Sequence, residues 1–315
     1  MAAGCPQCGV SILDDDVFCE ACGCRLVEDP TGPDLEPPSE PDHVDLDLGP
    51  VAGVSDRGLT HRRNEDAFAL EVRGDRLVAV VCDGVSASVS PDKAARVAAD
   101  TVAHMLAAAI DDGAELAAAM AEAVTVARAA VERVPWIATQ RLAAPSCTLV
   151  AAVWDGRAIT LASVGDSRAY WIGTDTAAVL TEDDSWALHQ VRIGELSPED
   201  AATHPWAHAI TNWIGADAPD DDLRVETVEP DGDGLLVVCS DGLWNYVPEA
   251  DALAELVRAL DRATPHDIAD ALVQHAIAQG GADNVTVAVL AAVSSSLVSE
   301  EPSWPNGRPP NASTA

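Results

Sequence analysis

One pattern constrains this chain more than any other: an apolar, strand-like run that ends on an aspartate. In Leu235-Leu-Val-Val-Cys-Ser-Asp241-Gly242 the run is rich in Val and Leu and is closed by turn chemistry. Such a run reads as a buried strand with an acid at its mouth, and the glycine lets the chain turn sharply there. Leu77-Val-Ala-Val-Val-Cys-Asp83-Gly84 repeats the design, and Ile159-Thr-Leu-Ala-Ser-Val-Gly-Asp166 is a third version. A fourth acid, Asp283, stands just before the strand-like Asn284-Val-Thr-Val-Ala-Val-Leu290, and Asn64-Glu65-Asp66 adds a further cluster. Strands that repeatedly carry a carboxylate to one end of a core build a site for a cation. Carboxylate oxygens are hard ligands, suited to Mg²⁺ or Mn²⁺ rather than Zn²⁺.

The charge balance narrows the partners. Against 52 acids stand 18 bases, for a net charge of -34, which argues against nucleic acid or an anionic membrane as a partner. No run of apolar residues is long enough for a membrane helix, and Met1-Ala-Ala-Gly-Cys5 lacks the basic start and apolar stretch of a signal peptide. Of eight cysteines, five fall within the first 24 residues and the rest lie in strand-like contexts, so the expectation is a reducing, cytoplasmic setting.

Those early cysteines are organised. Cys5-Pro-Gln-Cys8-Gly and Cys19-Glu-Ala-Cys22-Gly are two knuckles that suit four thiolates round one Zn²⁺, with Cys24 a spare thiol. Residues 1–25 are therefore expected to form a zinc ribbon stabilised by its metal. Residues 26–49, rich in Pro, Asp and Glu, read as a stiff, self-repelling, disordered linker. Residues 294–315 read as a disordered tail.

The large domain, 50–293, alternates groups of strands with pairs of helices. Strands are expected at 67–72, 76–82, 146–154, 158–164, 168–172, 224–229, 235–240 and 284–291. Helices are expected at 93–110, 115–134, 249–261 and 266–278, with a mixed segment over 181–215. This order favours an α+β layered sandwich, sheets inside and helices outside.

The ordered set of motifs resembles the metal-dependent serine/threonine protein phosphatases of the PPM type (type 2C). The matching stretches are Ser55-Asp-Arg-Gly58 with Asn64-Glu65-Asp66, Cys82-Asp83-Gly84, Ser146-Cys-Thr148, Gly165-Asp166-Ser167-Arg168, Ser240-Asp241-Gly242-Leu-Trp244, and Asp283-Asn284. The resemblance implies a four-layer sandwich of two antiparallel sheets flanked by helix pairs, with two or three Mn²⁺ or Mg²⁺ ions in a cleft at one end. It implies Asp83 as the bridging ligand and Asp241 and Asp283 on the first ion. Glu65 and the Gly84 carbonyl would serve the second, Asp166 with Asp241 a looser third, and Asp66 would support the cluster. The implied reaction is hydrolysis of phosphoserine and phosphothreonine in proteins by a metal-activated water, with no phosphoenzyme. The implied partners are phosphoproteins and a kinase acting on the same sites, with the chain a monomer.

The pattern departs from the family in three places. His61 stands where the family carries an arginine for the substrate phosphate, with Arg62 and Arg63 beside it as candidates to reach in. Val85-Ser86-Ala87-Ser88 replaces a loop that in some members carries a histidine, and Asp184 replaces a histidine in Asp183-Asp184-Ser185. His61 favours a rival reading, a phosphoprotein-binding pseudo-enzyme with a zinc-ribbon interaction module; the complete acid set opposes it. A third reading makes the ribbon an adaptor and the large domain its cargo.

Overall fold

The computed structural model describes residues 3–5, 11–12, 26, 41–138, 142–219 and 223–293. At the N-terminus β1 (Ala3–Gly4) pairs antiparallel with β2 (Ser11–Ile12), and Cys5 is buried. Cys8, Cys19 and Cys22, the tail over 294–315 and most of the expected linker lie outside the described residues.

The main body begins with β3 (His43–Asp47), β4 (Val51–Asp56), β5 (Ala67–Arg73) and β6 (Arg76–Cys82), followed by helices α1 (Pro91–Asp111) and α2 (Leu116–Val131). Next come β7 (Ser146–Cys147), β8 (Leu149–Trp154), β9 (Ile159–Val164), β10 (Arg168–Gly173) and β11 (Ala177–Val179). The short helices α3 (Trp186–Arg192) and α4 (Pro198–Ala202) and the strand β12 (Ile214–Gly215) fill the segment expected to be mixed. The chain closes with β13 (Arg224–Val228), β14 (Gly234–Cys239), α5 (Asp241–Trp244), α6 (Ala250–Arg258), α7 (Pro265–Gln279) and β15 (Val285–Ala292).

Two antiparallel sheets result, one in the order β11-β10-β14-β15-β4-β3 and one in the order β13-β9-β8-β6-β5. Their central strands are apolar on both faces because both faces are covered. Along β6, Leu77, Ala79 and Val81 enter the core between the sheets, while Val78, Val80 and Cys82 pack under α1 and α2. Along β14, Leu236 and Val238 face the other sheet, and Val237 and Cys239 pack under α6 and α7. Period-two alternation thus feeds three apolar layers at once. The expected α+β four-layer architecture is what the chain adopts.

The helix ends follow local chemistry. Glu115 caps α2 by accepting from the Ala117 and Ala118 amides at 2.9 and 2.7 Å. Thr264 and Asp267 form a capping box at α7, with Pro265 in the first turn, where its missing N–H costs nothing.

Two expectations need correction. The stretch 26–49 does not run unstructured to its end: β3 pairs with β4 as an edge strand, and Val44 packs towards the inter-sheet core. The alternation His43-Val44-Asp45-Leu46 gives it one apolar edge, which the acidic composition masks. The strand expected over 146–154 is split at Thr148: β7 pairs with β12, whereas β8 pairs with β6 and β9.

Candidate active site

Antiparallel pairing explains why the acids meet. Asp83 follows β6, Asp166 follows β9 and Asp241 follows β14, so all three stand at C-terminal strand ends. Glu65 and Asp66 precede β5, and Asp283 precedes β15. Because β5 runs against β6 and β15 against β14, the starts of one pair of strands adjoin the finishes of the other. Ala67 lies opposite Cys82, which sets Asp66 across from Asp83.

The carboxylates feel one another strongly. Burial, then the charges of Asp66, Asp241, Asp283 and Asp166, push the Asp83 carboxyl well above the usual range. Asp283 is raised well above it by burial and by Asp241 and Asp66, and Asp166 by burial and by Asp241 and Asp183. Burial lifts Asp241, and it lifts Asp66 to about 6 and Glu65 to about 7. Asp83, Asp241 and Asp283 keep some accessible surface even so.

Neutral hydrogen-bond donors orient this cluster. Ser240 Oγ donates to Asp66 Oδ2 at 2.7 Å and accepts the Thr286 amide at 3.0 Å. Ser86 Oγ donates to Glu65 Oε2 at 2.7 Å, the role that falls to a serine in the divergent 85–88 loop. Asn284 holds the approach to the acids: its Oδ1 accepts from the Glu65 amide at 2.7 Å, and its Nδ2 donates to the Arg57 and Arg63 carbonyls. Thr148 Oγ1 accepts the Asp83 amide at 3.1 Å, and the Asp83 carbonyl accepts the Thr148 amide at 2.7 Å. Gly242 lets α5 press on the next strand, since a Cβ there would fall 1.9 Å from the Asn284 carbonyl oxygen. Gly84, whose amide donates to the Glu65 carbonyl at 3.2 Å, is tucked against that segment.

The candidates for phosphate contact are placed unequally. His61 Nε2 stands 3.1 Å from Asp283 Oδ1 but out of hydrogen-bonding alignment. Burial, with Arg57 nearby, lowers the His61 pKa, so the ring tends to the neutral form. Arg62 is exposed. Arg63 lies 3.6 Å from the buried Asp92 and its charge bears on Glu65.

The acids fit a hydrated hard cation. Asp66 Oδ1 and Asp241 Oδ1 are buried without a hydrogen-bond donor aimed at them, while both carboxyls come within hydrogen-bonding reach of Asp83. Among the described residues no group of three or more His, Cys, Asp or Glu side chains closes round a single ion. Mg²⁺-type ions keep several waters and need only one or two carboxylates each, so gathered pairs of acids meet that demand where a closed cage is missing. This clustering of Glu65, Asp66, Asp83, Asp166, Asp241 and Asp283 was legible from the motifs. Ser86, Ser240 and Thr148 sat inside the same motifs, but only the register shows what their hydroxyls touch.

A sandwich of this order with an acid cluster at one end defines the type 2C phosphatase class. The family model "Protein phosphatase 2C" matches residues 57–276. The serine/threonine phosphatase Stp of Listeria monocytogenes is 30% identical over 242 residues, covering 74% of this chain and 92% of its own length. The chain therefore belongs to the protein phosphatase 2C family. Its match to the Stp of Listeria innocua, at 37% identity, spans 54% of that protein, about half its length. Among solved structures, the Mycobacterium tuberculosis phosphatase PstP/Ppp is 28% identical with a TM-score of 0.61, covering 77% of this chain and 98% of that one. The PstP catalytic domain in complex with two manganese ions aligns at 27% identity and a TM-score of 0.60, over 77% of this chain and 97% of that one. The match to the family begins beyond the N-terminal cysteines. No described helix is long and apolar enough to cross a membrane.

Proposed function

We propose that this chain hydrolyses phosphoserine and phosphothreonine in proteins at the acid cluster, with Mn²⁺ or Mg²⁺ as cofactor. The observation that carries the reading is the gathering of six acids from distant parts of the chain at one end of the paired sheets. Asp83 is the residue set to serve two ions, since it is in hydrogen-bonding reach of both Asp66 and Asp241. Asp241 and Asp283 would hold one ion, Glu65 and the Gly84 carbonyl the other, and Asp166 a looser third. Bound ions would supply an acidified water and neutralise the charge that develops on the phosphoryl oxygens.

The protein's own part is orientation. Ser86 and Ser240 keep Glu65 and Asp66 aimed, and Thr148 fixes the main chain of Asp83. Arg63 is the better placed arginine for the substrate phosphate, because it already lies beside Glu65; Arg62 would have to fold in from the surface. No side chain near the cluster needs to act as nucleophile. Cys82 and Cys239 are fully buried, and burial raises both thiols.

A second reading, capture of phosphoproteins without efficient turnover, is favoured by one observation: His61 tends to the neutral form in place of a permanent cation. The N-terminal cysteines would hold Zn²⁺ in a ribbon that contacts a partner, in a monomeric, cytoplasmic enzyme opposed by a kinase.

Hydrolysis of p-nitrophenyl phosphate with Mn²⁺, and with EDTA, tests the main reading. Turnover should need the metal, and Asp241→Asn should abolish it while the chain stays folded. Full activity in EDTA or in that variant overturns the assignment; a wild-type chain that binds phosphopeptide but releases no phosphate supports the second reading.

A further inference from the structure

Asp184 makes more connections than its place in a surface segment requires. Its amide donates to the Gly165 carbonyl at 2.8 Å, and the Gly165 amide donates back to Asp184 Oδ2 at 3.0 Å. Its carbonyl accepts the Thr211 amide at 2.7 Å. Its second carboxylate oxygen pairs with Arg224 of β13, which also pairs with Glu182. One residue thus joins the turn that carries Asp166, the return of the 181–215 segment, and the edge of the five-stranded sheet.

The turn has little other freedom. Gly165 sits at φ +92, and a Cβ there would fall 2.7 Å from Thr148 Cγ2, so Thr148 blocks it on one side while Asp184 grips it on the other. The same segment reaches Asp166 by a second route. His208, three residues before Thr211, stacks on Trp244 with ring centroids 6.4 Å apart, and the Trp244 indole N–H donates to the Asp166 carbonyl at 2.8 Å. A carboxylate suits position 184 because it accepts in two directions at once; a neutral imidazole has one acceptor nitrogen and could not serve both Gly165 and Arg224.

We propose that Asp184 is a positioning residue that fixes Asp166 against Asp241 and links the posture of the 181–215 segment to the acid cluster. The proposal rests on the phosphatase reading above, and the test separates the two. In the full chain with saturating Mn²⁺, Asp184→Ala should lower kcat on p-nitrophenyl phosphate about tenfold or more, as small misplacements in active sites do, with KM little changed. Asp184→Asn, which keeps an acceptor for Gly165, should recover most of that loss. Adding Asp184→Ala to Asp166→Asn should cause no further loss, because the effect runs through Asp166. Amide exchange in the metal-free chain should quicken at Gly165 and Thr211 in the alanine variant and stay slow in the asparagine variant. If the wild type shows no Mn²⁺-dependent turnover, the phosphatase reading fails and the exchange rates alone decide the positioning. Unchanged kcat and exchange in Asp184→Ala, or equal losses with and without Asp166→Asn, would overturn the proposal; an alanine variant that fails to fold leaves the asparagine variant to decide it, and a tenfold loss there contradicts it.

Discussion

His61 stands where the resemblance to the type 2C phosphatases leads to an expected arginine. A guanidinium stays charged and offers a planar fork to phosphate, whereas a buried imidazole loses its proton easily. His61 is half-buried, stands against Asp283, and has its pKa lowered by burial. Replacement by arginine should therefore place a permanent cation beside Asp283. The expected outcome of His61→Arg is a KM for phosphopeptide lowered severalfold with kcat within about twofold, since a cation that binds ground and transition states alike changes affinity first. Steady-state kinetics on one phosphopeptide check it, and an unchanged or raised KM would mean that Arg63 already does this work. The residues put a histidine where the resemblance implies an arginine, but did not say which neighbouring arginine lies nearer the acids. Adjacent residues on an extended strand face opposite ways, yet 61–64 are not strand in this structure, so alternation gave no guide.

At the scale of elements, what positions the acids is the closeness of strand ends. α5 starts on Asp241 and leans on the start of β15, and only a glycine at 242 allows the approach, given a 1.9 Å gap from a would-be Cβ to the Asn284 carbonyl oxygen. Gly242→Ala should therefore cost about 1–3 kcal/mol by forcing the backbone apart, and it should displace Asp241 from Asp83. Urea unfolding would show the lower midpoint, and Mn²⁺-dependent turnover should fall further than stability alone explains; an alanine variant as stable and active as wild type would contradict the packing described. The strands themselves were readable because covered faces demand unbroken Val, Leu and Ala. The one-turn helix α5 was not, since four residues carry no period. Nor was β3, whose two apolar side chains stand among acids that spoke for a linker. The break at Thr148 was hidden for a similar reason: β7 and β8 form one apolar run, and only their partners differ.

The whole molecule carries a net charge of -34, and the acid cluster gathers some of its carboxyls where burial disfavours their charged form. Glu65 is raised to about 7 and Asp66 to about 6, with Asp83, Asp166, Asp241 and Asp283 raised as well, burial being the first cause in each. An acid whose pKa is higher folded than unfolded binds protons more tightly in the fold. Its contribution to stability is full below the unfolded value, near 4, and is lost as pH rises through the folded value. The metal-free chain should thus lose thermal stability between about pH 4.5 and 7, and Mn²⁺ should restore it at pH 7 by binding the folded form alone. Melting curves across that range, with and without the ion, check both halves. A metal-free chain that grows more stable over this interval would show that the acids are not gathered as described. The architecture, two sheets under two helix pairs, followed from the order of strands and helices, and the residues of the acid cluster from their repeated placement at strand ends. The N-terminal cysteines show the converse: a pattern plain in the sequence whose Cys8, Cys19 and Cys22 fall outside the described residues.

If acids from Glu65 to Asp283 form one seat for divalent cations, calorimetric titration of the metal-free chain with Mn²⁺ shows it most directly. Saturable binding of at least two ions per chain, lost in large part in Asp83→Asn, is the result the structure predicts. Absence of binding, or an isotherm that Asp83→Asn leaves unaltered, would contradict it.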